Sequence, residues 1–98
     1  MPPRLLSVIQ DLRQLAPQLA LDLRVLPSGV VFLNVYPSGR EFVLEYSPAR
    51  GVGVSENTEQ TPPFDIGHDS VFETVEDGAD CLLGLVREVI LTPTRHAA

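Results

Sequence analysis

The segment Asp65-Ile-Gly67-His68-Asp69 holds side chains that could bind a metal ion or transfer protons. Catalytic zinc sites commonly use two or three histidines, and the other of the two histidines in this chain, His96, lies near its end. A calcium loop needs acids or amides at alternate positions and a closing glutamate, which this segment lacks. We therefore expect a glycine turn held by side-chain-to-backbone hydrogen bonds, with no metal and no cofactor.

Two further features invite a catalytic interpretation. The single cysteine, Cys81, has Asp77 and Asp80 as neighbours, and negative charges raise a thiol pKa instead of lowering it. The run at 51–55, Gly-Val-Gly-Val-Ser, resembles a fragment of a phosphate-binding glycine loop but lacks the third glycine, the lysine and a following helix. We expect a strand at 51–55, an inert thiol and no enzymatic activity.

The charge of the chain is unevenly distributed. The net charge is −6, and residues 51–86 carry eight acids with no arginine or lysine. These acids are Glu56, Glu59, Asp65, Asp69, Glu73, Glu76, Asp77 and Asp80. Such a block repels nucleic acid, whose binding depends on Lys and Arg neutralising phosphates, and attracts basic proteins. It predicts a basic protein partner bound through Asp65, Asp69, Glu73, Glu76, Asp77 and Asp80, although an ordinary solvated face is the alternative.

Length and composition predict one globular α+β domain over residues 1–98. The chain is 44% hydrophobic and 20% charged, which is typical of a folded domain. Its apolar runs fall far short of the ~20 residues that a membrane span needs. Residues 1–16 lack the continuous apolar region of a signal peptide, and one cysteine fits a reducing compartment. We expect a cytoplasmic protein that does not bind membranes.

The periodicity of apolar residues predicts the order of elements. An apolar stripe at spacings of three and four predicts a helix that starts near Pro3 and ends near Leu15, before Pro17. From Leu19 the period changes to two, and strand-like runs are separated by Pro-Ser-Gly at 27–29 and 37–39. A third turn at 47–51 leads into a fourth strand. The pattern predicts a four-stranded antiparallel meander.

A second helix follows a loop at 57–68. Thr74 has the place of an N-cap, and an apolar stripe continues to Leu91, before Pro93. Residues 92–98 are expected to be a frayed tail. The predicted architecture is α-β-β-β-β-α, with the N-terminal and C-terminal helices packed on one face of the sheet.

Two registers are open for the hairpin around 37–40. One places residues 42, 44 and 46 beside Phe32 and Tyr36; the other places them beside Leu33 under the helices, and we favour the second because it gives a clean core. In either register Phe32 and Tyr36 lie on the face away from the helices. They predict a surface for a partner or a homodimer, unless the 57–68 loop covers them with Phe64.

The order of elements, the small size and the acidic second half resemble the small α/β immunity and antitoxin-type proteins of bacteria. The run at 71–86, "VFETVEDGADCLLGLV", is similar to the acid-capped last helix of such domains. The resemblance implies a cognate partner, typically a basic nuclease or another toxin, that an acidic surface masks. Separately, the leucine-rich first helix and the meander are similar to the opening of the acidic dimeric chaperones that hold type III secretion effectors. A dimeric accessory or sensory domain is the third alternative.

Overall fold

A computed structural model describes residues 1–57 and 70–91. These residues form two helices and a five-stranded antiparallel sheet, so the fold is α+β. The elements in chain order are α1 (Pro3–Leu15), β1 (Ala20–Val25), β2 (Val31–Tyr36), β3 (Glu41–Ser47), β4 (Gly51–Asn57), β5 (Ser70–Phe72) and α2 (Val75–Leu91). A single 3-10 turn, Pro37–Gly39, lies between β2 and β3.

Helix α1 has the bounds that its prolines predict. Pro3 occupies the first helical position, where a backbone N–H would have no partner within the helix, so the N–H that proline lacks costs nothing. The helix ends before Pro17. Leu5, Val8 and Leu12 are fully buried. The core-facing stripe therefore includes Val8, with Ile9 only partly buried beside it.

The sheet is a meander in the order β1-β2-β3-β4-β5. Leu33 of β2 pairs with Leu23 of β1 and with Leu44 of β3, so all three side chains share the face that the helices cover. Val35 pairs with Phe42 on that same face. This pairing confirms the favoured register of the hairpin at 37–40.

The prediction of four strands was wrong by one. Residues Ser70–Phe72 form a fifth strand that pairs with β4, Val52 lying opposite Phe72. A strand of three residues is too short to show an alternating pattern, and hydrogen bonds to an already formed β4 edge decide its conformation. Gly51 permits the close approach, because a Cβ there would lie 2.6 Å from the carbonyl oxygen of Phe72.

Both Pro-Ser-Gly segments are turns, as predicted. The N–H of Gly29 donates to the carbonyl of Leu26, and Gly29 has φ +92°. In the second turn both Ser38 and Gly39 have positive φ. Glycine adopts this region at no steric cost, which explains its place at the exit of each turn.

Helix α2 packs against α1 and covers β3, β4 and β5. Its buried side consists of Gly78, Ala79, Leu82 and Val86. These residues complete a single core with the apolar face of the sheet and the buried side of α1. Both helices therefore lie on one face, as the sequence predicts. Among the residues that the structure describes, no helix is long and apolar enough to cross a membrane.

Candidate partner-binding surface

The first turn of α2 presents carboxylates to solvent. Glu76, Asp77 and Asp80 recur at helical spacing on the outer side of the helix, and Glu73 lies just before it; all four are exposed. Thr74 caps the helix, since its Oγ1 accepts a hydrogen bond of 3.2 Å from the N–H of Asp77. Acids are favoured here because they complement the positive end of the helix dipole.

Two of these carboxylates border an open cleft of about 560 Å³ between the start of α2 and the turn that joins β3 to β4. We call it the α2 cleft. Its lining comprises Pro2, Tyr46, Ser47, Pro48, Ala49, Arg50, Gly51, Glu73, Thr74, Val75 and Glu76. The lining mixes polar and apolar atoms: Glu73 and Glu76 contribute carboxylates and Arg50 contributes one positive charge. An arginine or lysine of a partner can place its aliphatic stem on the apolar atoms and its charged head at the two carboxylates. The sequence could not reveal this cleft, because its two sides are more than twenty positions apart in the chain.

Asp80 forms an ion pair with an arginine of α1, so its charge is partly balanced. Its Oδ1 accepts a hydrogen bond of 2.8 Å from Nη2 of Arg4 in α1, and Nη1 of Arg4 also lies 3.0 Å from Asp11. These hydrogen bonds, with Asp80 the larger cause, raise the pKa of the Arg4 guanidinium. Since the side chain of Asp80 is 68% exposed, the pair contributes little to stability but does reduce the negative charge of the surface.

Glu56 also has a counter-charge from the first half of the chain. Arg40 donates two hydrogen bonds of 2.8 Å to its carboxylate, one from Nε and one from Nη2. This bidentate pair lowers the pKa of Glu56 and raises the pKa of Arg40. The block at 51–86 carries no arginine of its own, yet folding supplies two from outside it. Counting charges along the sequence therefore overstated the unbalanced charge.

Three acids of the 51–86 block lie at the start of α2 without an arginine partner in the described chain, and two of them line the α2 cleft. Within residues 1–57 and 70–91, Glu73, Glu76 and Asp77 form no ion pair at 4 Å or less. Asp65 and Asp69, predicted as partner-binding, and His68 lie outside the described residues. In the described part of the chain, no group of three His, Cys, Asp or Glu residues is arranged to hold a metal ion.

The two aromatic candidates lie on the sheet face opposite the helices, as predicted. Tyr36 is 41% exposed, and Phe32 is half-buried with the guanidinium of Arg24 5.8 Å above its ring. Desolvation, followed by the charges of Glu41 and Asp22, raises the pKa of the Tyr36 hydroxyl. The predicted covering segment, 57–68 with Phe64, lies almost entirely outside the described residues.

Cys81 is half-buried against the core. Burial raises the pKa of its thiol, which is the predicted direction with a different cause: desolvation instead of the neighbouring aspartates. A thiol in this environment is a weak nucleophile at neutral pH.

Comparison of the chain with protein-family models, with curated protein sequences and with solved structures finds no match.

Proposed function

We propose that this chain is a non-catalytic binding protein that holds a basic protein partner against the start of α2. In finer detail, it acts as an immunity or antitoxin-type protein, and the partner is a toxin domain whose cationic surface it masks. The observation that carries the proposal is the placement of Glu73 and Glu76 in the lining of the α2 cleft, where no arginine of the described chain, including the nearby Arg50, pairs with either.

The distribution of charge supports this choice of surface. Folding neutralises Glu56 through Arg40 and reduces the charge of Asp80 through Arg4, but it leaves the carboxylates around the cleft to solvent. Arginine or lysine side chains of a partner would form charge-assisted hydrogen bonds with these carboxylates, and their aliphatic stems would pack against Tyr46 and Pro48 in the cleft lining. Long-range attraction between the two proteins would also accelerate association, most strongly at low salt.

Affinity capture with the full-length chain as bait tests the proposal. The wild type is compared with a cleft variant (Glu73→Gln, Glu76→Gln and Asp77→Asn) in a lysate of the source organism, with elution by salt. A control variant neutralises three acids elsewhere: Glu41→Gln, Glu45→Gln and Glu88→Gln. Both variants change the net charge by the same amount, so a general charge effect would act on both equally.

We expect a basic protein that the wild type and the control variant retain and the cleft variant loses. With that protein purified, calorimetric titration should show affinity falling steeply as salt concentration rises. Capture that the cleft variant retains, or no capture of a basic protein by any bait, would overturn the proposal.

A second candidate, a dimeric accessory domain, is favoured by one observation: no helix of the described chain covers the sheet face that carries Phe32 and Tyr36. A Tyr36→Ser variant that abolishes self-association while the cleft variant does not would support this candidate over the first.

A further inference from the structure

The two edges of the sheet differ in how much backbone they leave for pairing. One edge is β5, a strand of three residues. The other is β1, which has six residues, no proline and no neighbour on its outer side in the described chain. Proteins protect such an edge with a proline, a bulge, very short length or charged side chains. β1 has none of the first three, and its two charged residues are Asp22 and Arg24.

The orientation of the β1 backbone follows from its hairpin with β2. The N–H of Leu26 donates a 2.8 Å hydrogen bond to the carbonyl of Val30, in continuation of the β1–β2 register. Successive residues of a strand direct their N–H and C=O groups to opposite sides within the plane of the sheet. Leu21, Leu23 and Val25 therefore direct theirs away from β2, toward the free edge, and we call them the outward-bonding residues. Their side chains lie on the helix-covered face, where Val25 is 56% exposed.

The charges of β1 are arranged for pairing with an identical strand. Asp22 and Arg24 alternate with the outward-bonding residues and lie on the other face, both exposed. When two copies of β1 run antiparallel about Leu23, Asp22 of each copy lies opposite Arg24 of the other. Leu23 then lies opposite Leu23 of the second copy, and Leu21 lies opposite Val25 of the second copy.

This register is better than its neighbours on the same edge. Outward-bonding residues must face one another, so the strand can shift only by two residues at a time. A shift in one direction places the Asp22 residues of the two copies opposite each other, and a shift in the other direction does the same for the two Arg24 residues. Like charges directly opposite each other are destabilising, so both shifts are disfavoured. The central register also makes about six backbone hydrogen bonds, in three bonded pairs.

We propose that the chain forms a two-fold symmetric dimer by antiparallel pairing of β1 with β1 of a second copy, which joins the five described strands of each copy into one continuous sheet. The occupant of the edge is a second copy because the alternation of Asp22 and Arg24 is self-complementary about Leu23. The dimer does not depend on the function proposed for the α2 cleft. Helix α2 covers β3, β4 and β5, so both clefts lie away from the dimer axis.

Charge reversal across the two-fold axis provides the test. Asp22→Arg places arginines opposite arginines, and Arg24→Asp places aspartates opposite aspartates. Each variant alone is expected to weaken the dimer by ~10-fold or more, since two symmetric pairs turn repulsive. An equimolar mixture of the two variants should restore dimerisation, as a heterodimer in which every cross-strand pair is again opposite in charge. The double variant Asp22→Arg/Arg24→Asp should also dimerise.

Sedimentation equilibrium of the full chain is the measurement, with circular dichroism to confirm that each variant is folded. Arg87→Asp, an exposed reversal on α2, is the control and should dimerise as the wild type does. If a reversal prevents folding, Asp22→Asn and Arg24→Gln replace it, with a smaller weakening expected. We expect a wild-type mass of twice the 10.7 kDa chain. A monomeric wild type, or single variants that dimerise as tightly as the wild type, would overturn the proposal.

Discussion

Gly78 in α2 lies so close to Val52 in β4 that a Cβ on the glycine would collide with Cγ1 of the valine. The sequence alone suggests that a glycine weakens this helix, because glycine costs up to ~1 kcal/mol relative to alanine in a helix interior. In the structure, the absence of a side chain at this position instead favours the packing of the helix on the sheet. Without a side chain at 78, the first turns of α2 can approach the sheet, and Val52 fills the space.

Two identical substitutions in α2 should therefore have opposite effects. Gly78→Ala is expected to destabilise the fold by about 1–3 kcal/mol, because the added methyl group overpacks a buried contact. Gly84→Ala is expected to stabilise it by up to ~1 kcal/mol, since nothing lies within 4 Å of a Cβ there and alanine is the better helix former. The free energies of unfolding of both variants, measured in urea, check these two expectations. Equal effects of the two would contradict the close packing of Gly78.

The pair of Arg40 and Glu56 should make stability depend on acid pH. Glu56→Gln is expected to cost about 0.5–1 kcal/mol at pH 7, since Arg40 is half-exposed and solvent screens the pair. The folded state lowers the pKa of Glu56, so the stabilisation is complete above the ordinary glutamate pKa of 4.5. It is lost as the pH falls through the lowered pKa of the folded state.

Unfolding free energies of the wild type and of Glu56→Gln, measured from pH 7 downward, check this dependence. The two curves should converge at low pH. Arg40→Gln should show a similar loss at pH 7, and the double variant should cost less than the sum of the two single changes. Curves that stay parallel would mean that the pair does not cause the difference.

Thr74 should contribute to stability as the N-cap of α2. Its Oγ1 satisfies the N–H of Asp77, so Thr74→Ala is expected to lower the free energy of unfolding by ~1 kcal/mol. Thr74→Ser keeps the hydroxyl and should retain most of the stability. Thermal or urea unfolding distinguishes the two variants, and an alanine variant as stable as the serine variant would show that the hydroxyl does not cap the helix.

Cys81 should react slowly while the protein is folded. Burial raises its thiol pKa and restricts access, so alkylation by iodoacetamide at pH 8 is expected to be several-fold slower than in the same chain unfolded in urea. The pH at which the native rate rises should be higher than for an exposed cysteine. Mass spectrometry of samples taken over time gives both rates. Equal rates in the folded and unfolded chain would contradict the packing of Cys81 against the core.

The sequence by itself determined the helices, the first four strands and their turns. Pro3, Pro17 and the N-cap Thr74 act on their own backbone or on the next turn, and alternating apolar residues fix which face of each strand is buried. The face of Phe32 and Tyr36 followed for the same reason. These are local effects, so spacing along the chain is sufficient to predict them.

Tertiary structure alone decided the fifth strand, the reason for Gly78 and the charge of the candidate surface. Ser70–Phe72 is a strand because the edge of β4 is available to it. Asp80 gains a counter-charge from Arg4, which lies 76 positions away, and only packing of α1 against α2 brings the two together. Electrostatic attraction depends on distance in space, so a count of charges along the chain could locate the acidic segment but not the carboxylates that folding leaves unpaired.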